Sequence, residues 1–235
     1  MSILYIVSGC LAFMTLLLFD WALMRGFTRI KSSFLIIATL LLLIGVSGVV
    51  STPSETTFSP WITYTGWVGL IFFGLLLIFS LFIEIPLITT YLGHGTNRLL
   101  VTTGTYALSR HPGVLWFIGL MLSFILIHPS RITLQAALSW LTADILLVWS
   151  EDRYLFPRIF PSYIAYQSTT PFLWPTRASL RRCLATLKFN SKSVQELKMH
   201  TLRDIPDSSD RGAQEHGPPE EETNVEGQRT LKTRS

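Results

Sequence analysis

The chain has 235 residues, of which 49% are hydrophobic and only 14% are charged, and its formal net charge is +4. Soluble domains average about 25% charged residues, so this composition argues against a soluble globular protein. Its Lys and Arg residues form no basic stripe with interleaved aromatic residues, so no nucleic-acid partner is expected. The two cysteines, Cys10 and Cys183, are isolated and predict neither a disulfide framework nor a metal site.

Five apolar stretches occupy most of the first 150 residues. A transmembrane helix needs roughly 20 mostly apolar residues, or fewer inside a bundle. We expect spans at residues 3–24, 33–50, 61–91 (or 66–91), 113–127 and 132–149. The first lacks a basic leader and a small-residue cleavage site, so we interpret it as a retained span rather than a signal peptide. Only His-Pro-Ser-Arg separates the last two, which predicts a short C-terminal helical hairpin in an all-α integral membrane protein.

The loop charges predict an orientation for these spans. Seven Lys and Arg residues follow the first, third and fifth spans, whereas the loops on the other side contain only Arg131. Positive charges concentrate on the cytoplasmic side of membrane proteins. We therefore expect an N-terminus outside, a C-terminus inside and the polar chemistry on the cytosolic face. The membrane would be the endoplasmic reticulum in a eukaryote or the inner membrane in a bacterium.

The composition changes near residue 176. The stretch Arg-Ala-Ser-Leu-Arg-Arg-Cys-Leu-Ala-Thr-Leu-Lys-Phe predicts a short basic amphipathic helix on anionic lipid. The polar remainder, of mixed charge and nearly free of aromatic residues, predicts a disordered tail. We therefore divide the chain into two N-terminal helices (1–65), a core (66–175) and a tail (176–235).

Charged residues cluster on both sides of the predicted hairpin. Arg110-His111-Pro112 precedes its first helix, and Glu151-Asp152 follows its second helix. Because a hairpin returns to its starting side, these four ionisable side chains can converge in one pocket. Charges at bilayer edges are functional candidates by default. The alternative is a positive-inside anchor followed by a proline that starts a helix.

A segment rich in aromatic residues and proline follows, over residues 151–175. It is typical either of an interfacial aromatic belt or of the apolar wall of a cofactor pocket. Three further carboxylates lie within the spans. Glu84 and Asp144 are candidates for a substrate cavity, and Asp144 shares a helix face with Glu151 seven residues later. Asp20, near the end of the first span, is expected to be interfacial.

The order of these motifs resembles a known group of enzymes. Leu-Leu-Val-Thr-Thr-Gly-Thr-Tyr-Ala-Leu-Ser-Arg-His-Pro-Gly, the hairpin, Glu-Asp-Arg-Tyr-Leu, Phe-Pro-Ser-Tyr-Ile-Ala-Tyr and Thr-Pro-Phe-Leu-Trp-Pro follow in sequence. This arrangement, over about residues 66–175, resembles the isoprenylcysteine carboxyl methyltransferase and phospholipid methyltransferase superfamily. The resemblance implies an S-adenosylmethionine-dependent membrane methyltransferase. Its acceptor would be lipophilic or delivered by the membrane: a prenylcysteine carboxylate, a phospholipid amine or a small thiol.

The resemblance also implies roles for individual residues. Arg110 and Glu151 would be catalytic, and Glu151 would meet the methionine end of the cofactor. A carboxylate suits the cofactor's α-ammonium, while Arg110 suits its carboxylate or holds Glu151 in place. The implied cofactor-binding residues are Leu100, Val101, Tyr106, His111, Pro112, Gly113, Glu151 and Asp152.

The chain departs from the superfamily pattern at several positions. Val114 replaces a tyrosine, Asp152 a second glutamate and Phe160 a glycine. Leu147 stands where the prenylcysteine branch tends to carry an arginine, which argues against a prenylcysteine acceptor. Two alternatives therefore stay open. One is an NADPH-dependent sterol or enone reductase, for which only Arg153 and Arg158 could supply the added basic cluster, and the other is a non-catalytic membrane protein that retains the scaffold. Neither the acceptor nor the oligomeric state follows from the sequence.

Overall fold

The computed structural model describes residues 2–25, 27–85 and 100–186. These residues belong to one compact unit, Met1–Ser191. Within the described ranges every regular element is helical and no strand occurs, which confirms the predicted all-α class. The predicted disordered tail lies outside the described residues, as do the last residues of the third expected span.

Three long helices form the N-terminal part of the fold: α1 (Ser2–Met24), α2 (Thr28–Val50) and α3 (Pro60–Ile78). Pro60 occupies the first turn of α3, where its missing N–H costs nothing. The helix then continues as a π-helical turn, Phe79–Glu84. These boundaries follow the apolar runs because the polar residues after Val50 cannot extend a buried or lipid-facing helix.

The remaining helices follow in chain order: α4 (Thr105–Leu108), α5 (Pro112–Ile127), α6 (Arg131–Ser150), a π-helical turn (Glu151–Leu155), α7 (Phe156–Ile159), α8 (Tyr163–Thr169) and α9 (residues 177–186). Pro112 occupies the first turn of α5, as Pro60 does in α3. The Ser130 side chain caps α6 by accepting a hydrogen bond of 3.1 Å from the Thr133 N–H.

Four helices are long and apolar enough to cross a membrane: Ser2–Met24, Ser32–Val50, Pro60–Glu84 and Arg131–Ile159. Pro112–Ile127 is apolar but shorter. Large apolar side chains cover the outside of the long helices, and Trp61 of α3 is 80% exposed. Such surfaces are compatible with a multi-pass membrane protein, whereas the predicted count of five spans stays a prediction.

The helices pack in a continuous series, in which α1 contacts α2 and α6, and α5 contacts α6 and α3. Trp140 of α6 is fully buried at the centre of this series and donates its indole N–H to the Ile6 carbonyl of α1 at 3.0 Å. Gly9 lies beside it, and a Cβ at that position would stand 2.1 Å from the Trp140 Nε1 atom. The glycine therefore permits the close approach of α1 to α6, which also brings the C-terminal ends of these helices together.

Candidate functional site

A cavity lies where the ends of α1 and α6 meet α7, α8 and the segment before α4. Its empty space, which includes the open mouth, is about 660 Å³. Three charged side chains reach it: Asp20, Arg110 and Glu151. The rest of the lining is apolar or aromatic, so the cavity combines few polar groups with large hydrophobic walls.

Aromatic side chains form one wall of the cavity, namely Tyr106, Phe156, Phe160, Tyr163 and Tyr166. The rings contact one another edge to face, as in the 5.3 Å centroid pair of Phe156 and Tyr163 and the 5.8 Å pair of Tyr163 and Tyr166. Burial raises the pKa of Tyr163 and of Tyr166, so both phenols stay protonated at neutral pH. Aliphatic residues complete the lining: Leu23, Ile85, Leu100, Val101, Leu155 and Ile159.

Asp20 and Glu151 form a hydrogen bond between their side chains within the cavity lining. Asp20 is only 9% exposed. Its side chain faces the cavity at the point where α1 packs against the end of α6. Its Oδ2 atom is buried and has no hydrogen-bond partner among the described residues. In the described part of the chain no group of three or more His, Cys, Asp or Glu residues is arranged to hold a metal ion.

Asp152 points away from Glu151, and four polar side chains contact its carboxylate. The Nε atom of Arg110 lies 3.2 Å from its Oδ1 atom, and the His111 Nε2 atom lies 3.4 Å from the same oxygen. Tyr163 donates its hydroxyl to Oδ1 at 2.6 Å, and the Gln167 amide donates to Oδ2 at 3.1 Å. Asp152 therefore anchors α8 and the Arg-His pair to the end of α6.

His111 packs behind the aromatic wall. Its ring stacks on Phe156 at 5.9 Å between centroids and meets Phe172 edge to face at 5.1 Å. Burial lowers the pKa of His111, and the hydrogen bond to Asp152 opposes that effect only in part. Burial and the hydrogen bond are both accommodated when His111 is neutral and donates its Nε2–H to Asp152.

The segment around Arg110 is locked to the segment after α8. The Arg110 N–H donates to the Pro171 carbonyl at 3.0 Å, and the Ser109 hydroxyl donates to the Phe172 carbonyl at 2.9 Å. The Arg110 guanidinium also lies 5.8 Å from the centre of the Phe172 ring. These contacts explain why Ser-Arg-His-Pro and Pro-Phe stretches more than 60 residues apart in sequence act as one unit.

Glu84, proposed from the sequence for a substrate cavity, holds the start of α4. It accepts a hydrogen bond of 2.6 Å from the Thr105 N–H and another from the Thr105 hydroxyl. The preceding Gly104 has a φ of +62°, and a Cβ there would stand 1.7 Å from a Glu84 carboxylate oxygen. Tyr106 follows and lines the cavity, while its carbonyl accepts the Tyr166 hydroxyl at 2.5 Å. The Glu84–Thr105 contact thus helps to position Tyr106 in the cavity wall.

Some of the expected site residues line the cavity, and others do not. Leu100, Val101, Tyr106, Arg110 and Glu151 line it. The other expected residues, which are not among those lining it, are Glu84, His111, Pro112, Gly113, Asp144 and Asp152.

Three of the residues that do not line the cavity have defined neighbours: Pro112, Gly113 and Asp144. Pro112 is fully buried at the start of α5, and Gly113 faces Leu81 of the α3 π-helical turn, 3.5 Å from where its Cβ would be. Asp144 lies on α6 and interacts electrostatically with Glu151.

Three of the residues at which the chain departs from the pattern that it resembles are buried: Val114, Leu147 and Phe160. Val114 is 2% exposed in α5, and Leu147 belongs to the hydrophobic core between the helices. Phe160 lines the cavity. Packing therefore explains why apolar side chains occupy these positions.

Sequence reasoning missed Asp20 as a cavity residue and treated Phe156, Tyr163 and Tyr166 only as parts of an aromatic segment. The available signal for Asp20 was its charge within an otherwise apolar span, a feature that normally indicates a partner or a function. Gln167 gave no signal, because its contact with Asp152 depends on the turn between α7 and α8.

Comparison of the chain with family models, with curated proteins and with solved structures yields no match.

Proposed function

We propose that this protein is an S-adenosylmethionine-dependent membrane methyltransferase with a lipophilic or membrane-delivered acceptor. Five spans, a C-terminal helical hairpin and a cavity on the cytosolic face belong to the same proposal. The membrane would be that of the endoplasmic reticulum in a eukaryote or the inner membrane in a bacterium. The observation that carries the proposal is the charge pattern of the cavity: two carboxyl groups and one guanidinium on a largely aromatic wall.

The residues fit the cofactor's polar end. Glu151 and Asp20 offer carboxyl oxygens to an α-ammonium, and Asp20 Oδ2 is buried with no hydrogen-bond partner among the described residues. Arg110 offers a guanidinium to an α-carboxylate while its Nε atom stays beside Asp152. The sequence left open whether Arg110 binds the ligand or holds Glu151, and the ion pair that forms is with Asp152.

The walls fit the remainder of the ligand. Aromatic rings attract both a purine and a sulfonium cation, the latter through their electron-rich faces. When bound, the cofactor would supply an electrophilic methyl group on sulfur. Transfer of that group discharges the sulfonium, so side chains that exclude water favour it, and alignment with the acceptor supplies much of the rate. Phe156, Phe160 and Leu155 would provide that exclusion at this cavity.

The proposal is tested by calorimetry with purified protein and three ligands: S-adenosylmethionine, S-adenosylhomocysteine and NADPH. We expect the two adenosyl compounds to bind and NADPH not to bind. Arg153 and Arg158, the cations available for a 2′-phosphate, are exposed and do not line the cavity. NADPH binding alone would favour the reductase alternative, and binding of none of the three would favour a non-catalytic scaffold.

Site variants test the placement of the cofactor. Glu151→Gln keeps the side chain's shape and removes its charge, so loss of a charge-assisted hydrogen bond should weaken S-adenosylmethionine binding by about 10- to 150-fold. Asp144→Asn replaces a neighbouring carboxyl group that does not line the cavity and should leave the cofactor affinity nearly unchanged. The opposite order of the two effects would refute this placement.

A further inference from the structure

Asp20 is an unusual member of the cavity lining. It comes from α1, which lies outside the segment that resembles the methyltransferase superfamily, yet its side chain is about nine-tenths buried and faces the cavity. Its Oδ2 atom is buried without a hydrogen-bond partner among the described residues. A buried, unpaired carboxylate oxygen is costly, so the position calls for a donor from a ligand.

The hydrogen bond between Asp20 and Glu151 requires a proton. An ionised carboxylate can only accept hydrogen bonds, so two carboxyl groups bond to each other only when one of them is protonated. Two carboxylates in contact commonly share one proton for this reason. The surroundings favour a positive ligand, because Asp144 and Asp152 also interact electrostatically with Glu151. The other titratable groups that line the cavity are Tyr106, Arg110, Tyr163 and Tyr166.

We infer that Asp20 and Glu151 together form one subsite for an organic ammonium group, and that the ammonium displaces the proton that the two carboxyl groups share. This inference rests on the proposed function, in which the ammonium is the α-amino group of the cofactor. The exchange balances: one carboxylic acid becomes a carboxylate, its proton leaves to the solvent, and the ligand's N–H groups replace the lost hydrogen bond. Asp20 thus makes the N-terminal helix a part of the binding site.

Linkage between ligand binding and proton release provides the test. S-adenosylhomocysteine is titrated into the full-length protein near neutral pH in buffers of different ionisation enthalpy, which gives the number of protons released. We expect about one proton per bound ligand. The matched probe is 5′-methylthioadenosine, which keeps the nucleoside but lacks the amino-acid end, and its binding should release none. Equal proton counts for the two ligands would overturn the inference without any variant.

The variant Asp20→Asn tests the same subsite by changing the protein rather than the ligand. The amide that replaces the Asp20 carboxyl can donate to an ionised Glu151, so no shared proton remains and proton release should fall to near zero. Affinity for S-adenosylhomocysteine should fall by about 10-fold because one of two charge-assisted contacts is lost. Glu55→Gln is the matched control, since Glu55 is 51% exposed and pairs with Arg131 outside the cavity.

The outcomes separate the inference from the proposed function. Binding of S-adenosylhomocysteine with the same proton count in wild type and in Asp20→Asn would refute the paired-carboxyl subsite and leave the function standing. Failure of wild-type protein to bind S-adenosylhomocysteine would refute both. A variant Asp20→Asn that does not fold leaves the comparison of the two ligands on wild-type protein as the deciding measurement.

Discussion

Arg110 and Asp152 form an ion pair at the edge of the cavity, with the Arg110 Nε atom 3.2 Å from the Asp152 Oδ1 atom and side chains only 12% and 13% exposed. The pair joins two segments of the chain, because Arg110 precedes α5 and Asp152 follows α6. The same carboxylate also accepts the Tyr163 hydroxyl. One ion pair therefore connects the end of α6 to the aromatic wall and to the start of α5.

Asp152→Asn should destabilise the protein by roughly 3 kcal/mol, because removal of one partner leaves the Arg110 charge buried without compensation. The measurement is the free energy of unfolding in mixed detergent micelles. Glu55→Gln is the control: the Glu55–Arg131 pair, at 3.3 Å, has side chains 51% and 86% exposed, and such surface pairs contribute about 0–1 kcal/mol. Equal losses for the two variants would mean that burial of the Arg110–Asp152 pair has no energetic consequence.

Stability should depend on pH through His111. Burial lowers its pKa in the folded state below the ordinary value of 6.5, so the unfolded chain binds this proton first as the pH falls. The stability that neutral His111 contributes is therefore present above its unfolded pKa and is lost as the pH drops below that value. Between about pH 7.5 and about pH 5, the Tm of wild type should fall more than the Tm of His111→Gln, which cannot titrate. Parallel Tm curves would contradict this expectation.

Gly104→Ala should disturb the start of α4. Its φ of +62° disfavours a side chain, and the added Cβ would collide with the Glu84 carboxylate that holds Thr105. We expect a loss of about 1–3 kcal/mol in the free energy of unfolding. Gly74→Ala is the matched control, because its Cβ would meet only Leu120 at 3.9 Å and should stabilise α3 by about 0.5–1 kcal/mol. A neutral Gly104→Ala would show that Glu84 readily moves away.

The orientation of the spans can be tested by labelling single cysteines after Cys10 and Cys183 have been replaced by alanine. Cysteines at Glu55, between α2 and α3, and at the exposed Arg177 of α9 should react from opposite sides of the membrane. Five spans place these two positions on different faces, with the Arg177 side cytosolic by the positive-inside rule. Labelling of both positions from the same side would exclude the five-span arrangement.

The positions of the helices follow from the amino-acid sequence alone. Their bounds lie close to the apolar runs because backbone polar groups in an apolar setting must pair within a helix. Pro60 and Pro112 marked helix starts for a local reason, since the ring presets φ and lacks an N–H. The gathering of Arg110 and Glu151 near one end of α6 also followed from chain order alone. These features depend on local composition and on the order of the helices along the chain, so the sequence predicts them.

The partner of each carboxyl group, by contrast, depends on how the helices pack. Glu151 and Asp152 are adjacent in a π-helical turn, and their side chains point in different directions: Glu151 meets Asp20 of α1, and Asp152 meets Arg110. The choice depends on how α1 crosses α6, which the small Gly9 beside Trp140 permits, more than 130 residues away in the chain. Asp20 enters the cavity for the same reason. No local pattern in the sequence reports the rotation of one helix against another, because that rotation is set by the packing of side chains from both.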